Sequence, residues 1–126
     1  MLIFDKILTD DLPFFEIISK EDIKLTPPNS IVLFDYKIEL AKYCKNNSIL
    51  FAMRIKSIKE LVYANALGCG YAFVKKEFAK SAQDIANEYM FDMKIILPIK
   101  NDEELEWAAL NGVDGVVGIW DVGFGI

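Results

Sequence analysis

The chain has 126 residues, 53% of them hydrophobic, with a formal net charge of −5 and no histidine. That length suits a single domain, 1–126, with a sizeable core, and that apolar content excludes a disordered chain. No apolar stretch approaches the roughly 18 residues of a membrane span, and Lys and Arg are not clustered as phosphate neutralisation along a nucleic acid requires.

The missing histidine removes the commonest general base and the commonest transition-metal ligand together. Zinc sites and histidine-dependent triads are therefore not expected, and no cofactor is implied. Two cysteines, Cys44 and Cys69, make no disulfide framework and read as small buried apolar residues in a reducing compartment. The start, Met1-Leu2-Ile3-Phe4-Asp5, lacks a basic segment ahead of an apolar stretch, so the cytoplasm is the expected location.

In chain order, Leu2–Leu8 admits a strand, and Leu12–Ile18 a short helix or apolar arm. Thr26-Pro27-Pro28-Asn29-Ser30 then breaks the chain, since neither proline continues a helix or donates to a ladder. Met1–Thr26 reads as an appendage on a repeating core spanning 31–121, the alternative being a sixth strand at a sheet edge.

Five apolar runs follow, each ending in a charged residue: Ile31–Asp35, Ile49–Lys56, Tyr71–Lys75, Lys94–Lys100 and Val113–Asp121. Helical stretches separate them, which predicts about five parallel strands with crossover helices. Phe78, Ala82, Ile85, Ala86 and Tyr89 share one face of the third helix, and Leu105, Ala108 and Ala109 one face of the fourth. Ser57 with Glu60, and Asn101 with Glu104, form capping-box pairs. Gly68 and Gly112 stand just past the matching helix ends, where a left-handed residue is wanted.

These signals repeat. Ile55-Lys56-Ser57, Glu60-Leu61, Ala64 and Gly68 match Ile99-Lys100-Asn101, Glu104-Leu105, Ala108 and Gly112, each 44 positions later. Duplicated βα units belong to barrels and half-barrels. The predicted fold is α/β and half-TIM-barrel-like, with a flavodoxin-like open sheet as the alternative. A half-barrel leaves two strand edges and a concave face to cover, so a homodimer is expected.

Ligands of parallel α/β sheets bind outside the carboxyl ends of the strands. Asp35, Arg54, Lys56, Lys75, Lys76, Lys100 and Asp121 are predicted there, five of them basic in an acidic chain. Helix N-termini at Ser57 and Asn101 add N–H donors and positive dipole ends, a combination suited to a phosphate or carboxylate. Asp35, Arg54, Lys56, Lys100 and Asp121 are the candidate ligand-binding residues. Arg54 lies in line with Leu50 and Ala52 and needs a partner, for which Asp35 and Asp121 are candidates. Asp35 with Asp121 could also hold a magnesium ion, but no second shell of ligands is visible beside them and no metal is expected; no glycine-rich phosphate loop precedes a helix.

The stretch Phe78–Trp120 resembles the last part of TIM-barrel glycerophosphodiester phosphodiesterases. The likeness runs through Ala86-Asn87-Glu88, Lys94–Lys100, Asp102–Leu110 and Gly112-Val113-Asp114-Gly115-Val116-Val117. It implies strands laid in sequence order. It carries over no catalytic residue, because that family's metal-dependent chemistry uses histidines and acidic residues from early strands. A complete barrel takes about 250 residues, so this chain supplies at most half. Two functions remain: a non-catalytic binding or regulatory module taking a phosphorylated metabolite or other anion, or a small enzyme acting on a phosphate ester or carbonyl through Lys and Asp.

Overall fold

A computed structural model describes residues 1–8 and 12–118. They form strands β1 (Leu2–Phe4), β2 (Phe14–Glu16), β3 (Ile31–Asp35), β4 (Phe51–Arg54), β5 (Tyr71–Phe73), β6 (Lys94–Ile99) and β7 (Gly115–Gly118). Four helices join the later strands: α1 (Ile38–Asn46), α2 (Ile58–Ala66), α3 (Lys76–Glu88) and α4 (Asp102–Leu110). A 3₁₀ turn, Lys20–Leu25, precedes β3. None of these helices is long and apolar enough to cross a membrane.

All seven strands lie in one sheet in the order β1-β7-β6-β5-β4-β3-β2, and every pairing is parallel. Strands β3 to β7 follow one another in sequence, as the half-barrel reading requires and a flavodoxin-like order does not. The count differs from about five because the first 26 residues add a strand at each edge. Leu12–Ile18, read as a helix or arm, holds β2 instead. A three-residue strand is too short to display a period of two, so its sequence could not announce it.

Side chains alternate between the two faces of the sheet. The inner face carries Phe14, Ile31, Leu33, Ala52, Phe73, Ile96 and Val117, all buried, with Phe4 and Tyr71 packed against them. The Phe4 and Phe14 rings lie 5.0 Å apart, and both meet Tyr71, at 5.9 and 5.5 Å. Phe4 and Phe14 belong to the two edges and Tyr71 to the middle strand, so these contacts exist because the sheet curls around its own side chains. The curl is the half-barrel.

On the outer face, Val32, Phe34, Phe51, Met53, Ile95, Leu97 and Val116 meet the helices. Small residues bring α3 close: Ala79, Ala82 and Ala86 are buried, with Phe78 and Ile85 packed beside them. Tyr89, expected on that face, caps the helix and is 70% exposed, because the helix stops at Glu88. Ala109 is also exposed. The α4 stripe narrows to Leu105 and Ala108.

Gly68 and Gly112 adopt the left-handed conformation, with φ of 83° and 68°. Gly115 serves a different end: a Cβ there would sit 2.9 Å from the Leu2 carbonyl oxygen, so only glycine lets β1 dock on β7. Asp114 of the Gly-Val-Asp-Gly motif is structural. Its Oδ2 accepts from the Ile95 N–H at 3.0 Å, and its own N–H donates to Oε1 of buried Gln83 at 2.8 Å.

Candidate functional site

Strands β2, β3 and β4 end in Glu16, Asp35 and Arg54, whose side chains share the inner face at the carboxyl edge. Asp35 stands opposite Arg54 in register. Arg54 Nη1 donates to Asp35 Oδ1 at 3.0 Å, and Nη2 donates to both Glu16 oxygens, at 3.0 and 2.8 Å. The Arg54 side chain is 14% exposed, against 41% for Glu16 and 78% for Asp35. The guanidinium is thus sunk in the mouth of the curl and held from one side by two more accessible carboxylates.

Asp35 was an expected partner of Arg54, and Glu16 was missed. A signal for it existed, because Phe14-Phe15-Glu16 is another apolar run ending in a charge. Asp121, the other expected partner, lies outside the described residues.

Two clefts adjoin at the Arg54–Asp35 pair. The larger, about 660 Å³, opens toward the 3₁₀ turn and includes Glu16, Asp22, Asp35, Tyr36, Lys37 and Arg54 in its walls. Its charges nearly balance. Asp22 is already engaged there, accepting from the Ile18 and Ser19 N–H groups at 2.9 and 3.1 Å, bonds that hold its carboxyl below the usual range.

The smaller cleft, about 130 Å³, lies over the ends of β4, β5 and β6. Arg54, Lys56, Lys75 and Asp35 supply its charges, and Phe73 and Pro98 are among its apolar walls. Among the described residues, three cations and one carboxylate line it. Lys75 therefore takes the place that sequence reasoning gave to Lys100, which is exposed and not a lining residue of this cleft.

The repeated caps form alike in both copies. Ser57 Oγ accepts from the Glu60 N–H at 3.2 Å and Asn101 Oδ1 from the Glu104 N–H at 2.9 Å. In return the Lys56 N–H donates to Glu60 Oε1 at 2.9 Å and the Lys100 N–H to Glu104 Oε1 at 2.6 Å. A carboxylate of the chain's own thus sits at each positive helix end. An anion at this edge would be held by side chains of the small cleft rather than by these termini.

No protein-family model matches the chain, and no curated protein does either.

Among the described residues, no group of three His, Cys, Asp or Glu comes together to hold a metal ion. Burial pushes the Cys44 thiol up to about 11 and the Cys69 thiol up to about 12, which keeps both protonated at neutral pH and withholds the nucleophilic thiolate.

Proposed function

We propose that the chain is a non-catalytic binding or regulatory module that takes a small anion in the cleft over β4, β5 and β6. The observation that carries this reading is the lining of that cleft, where, among the described residues, Arg54, Lys56 and Lys75 meet one carboxylate, that of Asp35. A chain of net charge −5 concentrates positive charge at the strand ends where ligands of parallel sheets bind. Charge-assisted hydrogen bonds from lysine and arginine are the strong ones for phosphate and carboxylate. Asp35 is mostly exposed, so a ligand can share or replace its hold on Arg54 at little cost.

Calorimetric titration with inorganic phosphate and small carboxylates tests the reading, with Lys56→Ala and Lys75→Ala as controls. Binding by the native chain, weakened in each variant, supports it. Heat changes that both variants leave untouched exclude this cleft.

The same reading includes a homodimer. Ile3 and Phe15 point outward from the two edge strands and are 38% and 37% exposed, and Ile7, Leu8 and Ile18 are exposed as well. A second copy packed on either edge would remove part of this apolar surface from water. Free Cys44 and Cys69 suit a reducing, cytoplasmic setting. From the likeness to glycerophosphodiester phosphodiesterases the proposal takes architecture alone.

A further inference from the structure

Strand β6 is interior, bonded to β5 on one side and β7 on the other, yet it contains Pro98. A proline has no N–H, so an interior strand that includes one loses a rung on one side. Register identifies the side. The Lys94 N–H donates to the Gly70 carbonyl at 3.0 Å, and the Val74 N–H donates to the Ile96 carbonyl at 3.0 Å. Even-numbered residues of β6 therefore face β5, and the next rung would run from an N–H at position 98 to the Val74 carbonyl. Pro98 cannot supply it. The ladders end accordingly: β5–β6 pairing stops at Phe73 with Ile96, whereas β6–β7 pairing continues to Ile99 with Gly118. Among the described residues no backbone N–H is directed at the Val74 carbonyl.

That carbonyl belongs to the small cleft. Val74 is among the residues that line it; its side chain packs in the core between sheet and helices and the residue is only 2% exposed, so its backbone borders the floor of the cleft. A carbonyl denied its rung is an acceptor in search of a donor. It stands beside three cations, which would repel an ammonium and tolerate a neutral hydroxyl.

We infer that the cleft selects a hydroxylated anion: a small carboxylate or phosphate ester whose hydroxyl donates to the Val74 carbonyl while its charge meets Arg54, Lys56 and Lys75. This inference rests on the anion-binding reading above. Pro98 creates the selectivity by leaving the acceptor open.

The test compares matched probes, glycolate with acetate and lactate with propionate, on the native chain and on Pro98→Ala, with inorganic phosphate as the reference anion. The native chain should prefer the hydroxylated member of each pair by about five-fold, the worth of one neutral hydrogen bond. In P98A the new N–H closes the rung, and the preference should fall to about one. The ratio is the readout, so a general weakening of anion binding does not move it. Hydrogen exchange supplies a second measurement: the amide at position 98 of P98A should be protected. Equal binding of paired probes by a native chain that binds phosphate overturns the inference. So does a preference that survives in P98A, or rapid exchange of its new amide. Failure of every anion to bind, phosphate included, overturns the proposed function instead.

Discussion

Replacing Arg54 with methionine keeps most of the side chain's apolar stem and removes its charge. Among the described residues, the loss includes the Nη2 bonds to both Glu16 oxygens, at 2.8 and 3.0 Å, and the Nη1 bond to Asp35 at 3.0 Å. A hydrogen bond to a charged group contributes about 1.5–3 kcal/mol when desolvated, and removing one member of a fully buried pair costs about 3–5 kcal/mol. Neither limit applies in full, because Glu16 is 41% and Asp35 78% exposed and water can re-solvate both. Arg54→Met should therefore destabilise by about 2–3 kcal/mol. The two partners should contribute unequally. A double-mutant cycle with Glu16→Gln should give a coupling of about 2 kcal/mol for the two-pronged, better-buried pair. A cycle with Asp35→Asn should give less than about 1 kcal/mol, as exposed ion pairs do. Urea unfolding at pH 7 measures all six proteins. Equal couplings, or an Arg54→Met protein as stable as its parent, would refute the view that Glu16 and Arg54 pin β2 to the mouth of the curl.

Gly115→Ala should cost about 1–3 kcal/mol, as overpacking does, since the new Cβ meets the Leu2 carbonyl; accelerated hydrogen exchange confined to β1 and β7 would locate the damage. Gln83→Leu should cost about 1–3 kcal/mol in urea unfolding, because the Asp114 N–H loses its acceptor at a buried position. Cys44 and Cys69 should resist alkylation at pH 8 in the native chain and react once urea unfolds it. Their thiol values are raised on folding, to about 11 and about 12, so their contribution to stability is complete below the unfolded value of 9.0. It should fade as pH rises from there through the folded values, and thermal melts between pH 8 and 12 will follow the loss.

Strands β3 to β7 were legible because parallel strands buried on both faces appear as near-continuous apolar runs, and helix caps punctuate them. Ile31–Asp35 matched to the residue. Its four apolar residues stand between Ser30 and Asp35, which mark its ends sharply, whereas Ile49–Lys56 shortened to Phe51–Arg54 as its flanks became connections. β2 escaped because three residues carry no period, and β1 was legible as a strand within Leu2–Leu8 but not in its place: pairing with β7 and β3 is a long-range fact that local pattern cannot hold. Arg54 was legible as a half-buried cation, since its phase with Ala52 turned it inward. Its principal partner, Glu16, was not, because it sits 38 positions away on an unrecognised strand. Lys75 displaced Lys100 from the cleft for a similar reason. β4 and β5 are neighbours in the sheet, while the end of β6 is parted from β5 above Pro98.

Amide chemical-shift mapping during titration with inorganic phosphate will show whether the strand ends of β4, β5 and β6 form an anion site. Saturable shifts should centre on Ile55, Lys56, Val74 and Lys75, with smaller ones at Asp35 and Arg54 and none at the amino ends of the strands around Gly70 and Asp114. Shifts scattered over surface lysines without saturation, or centred on the helix starts at Asn101 and Asp102, would contradict it.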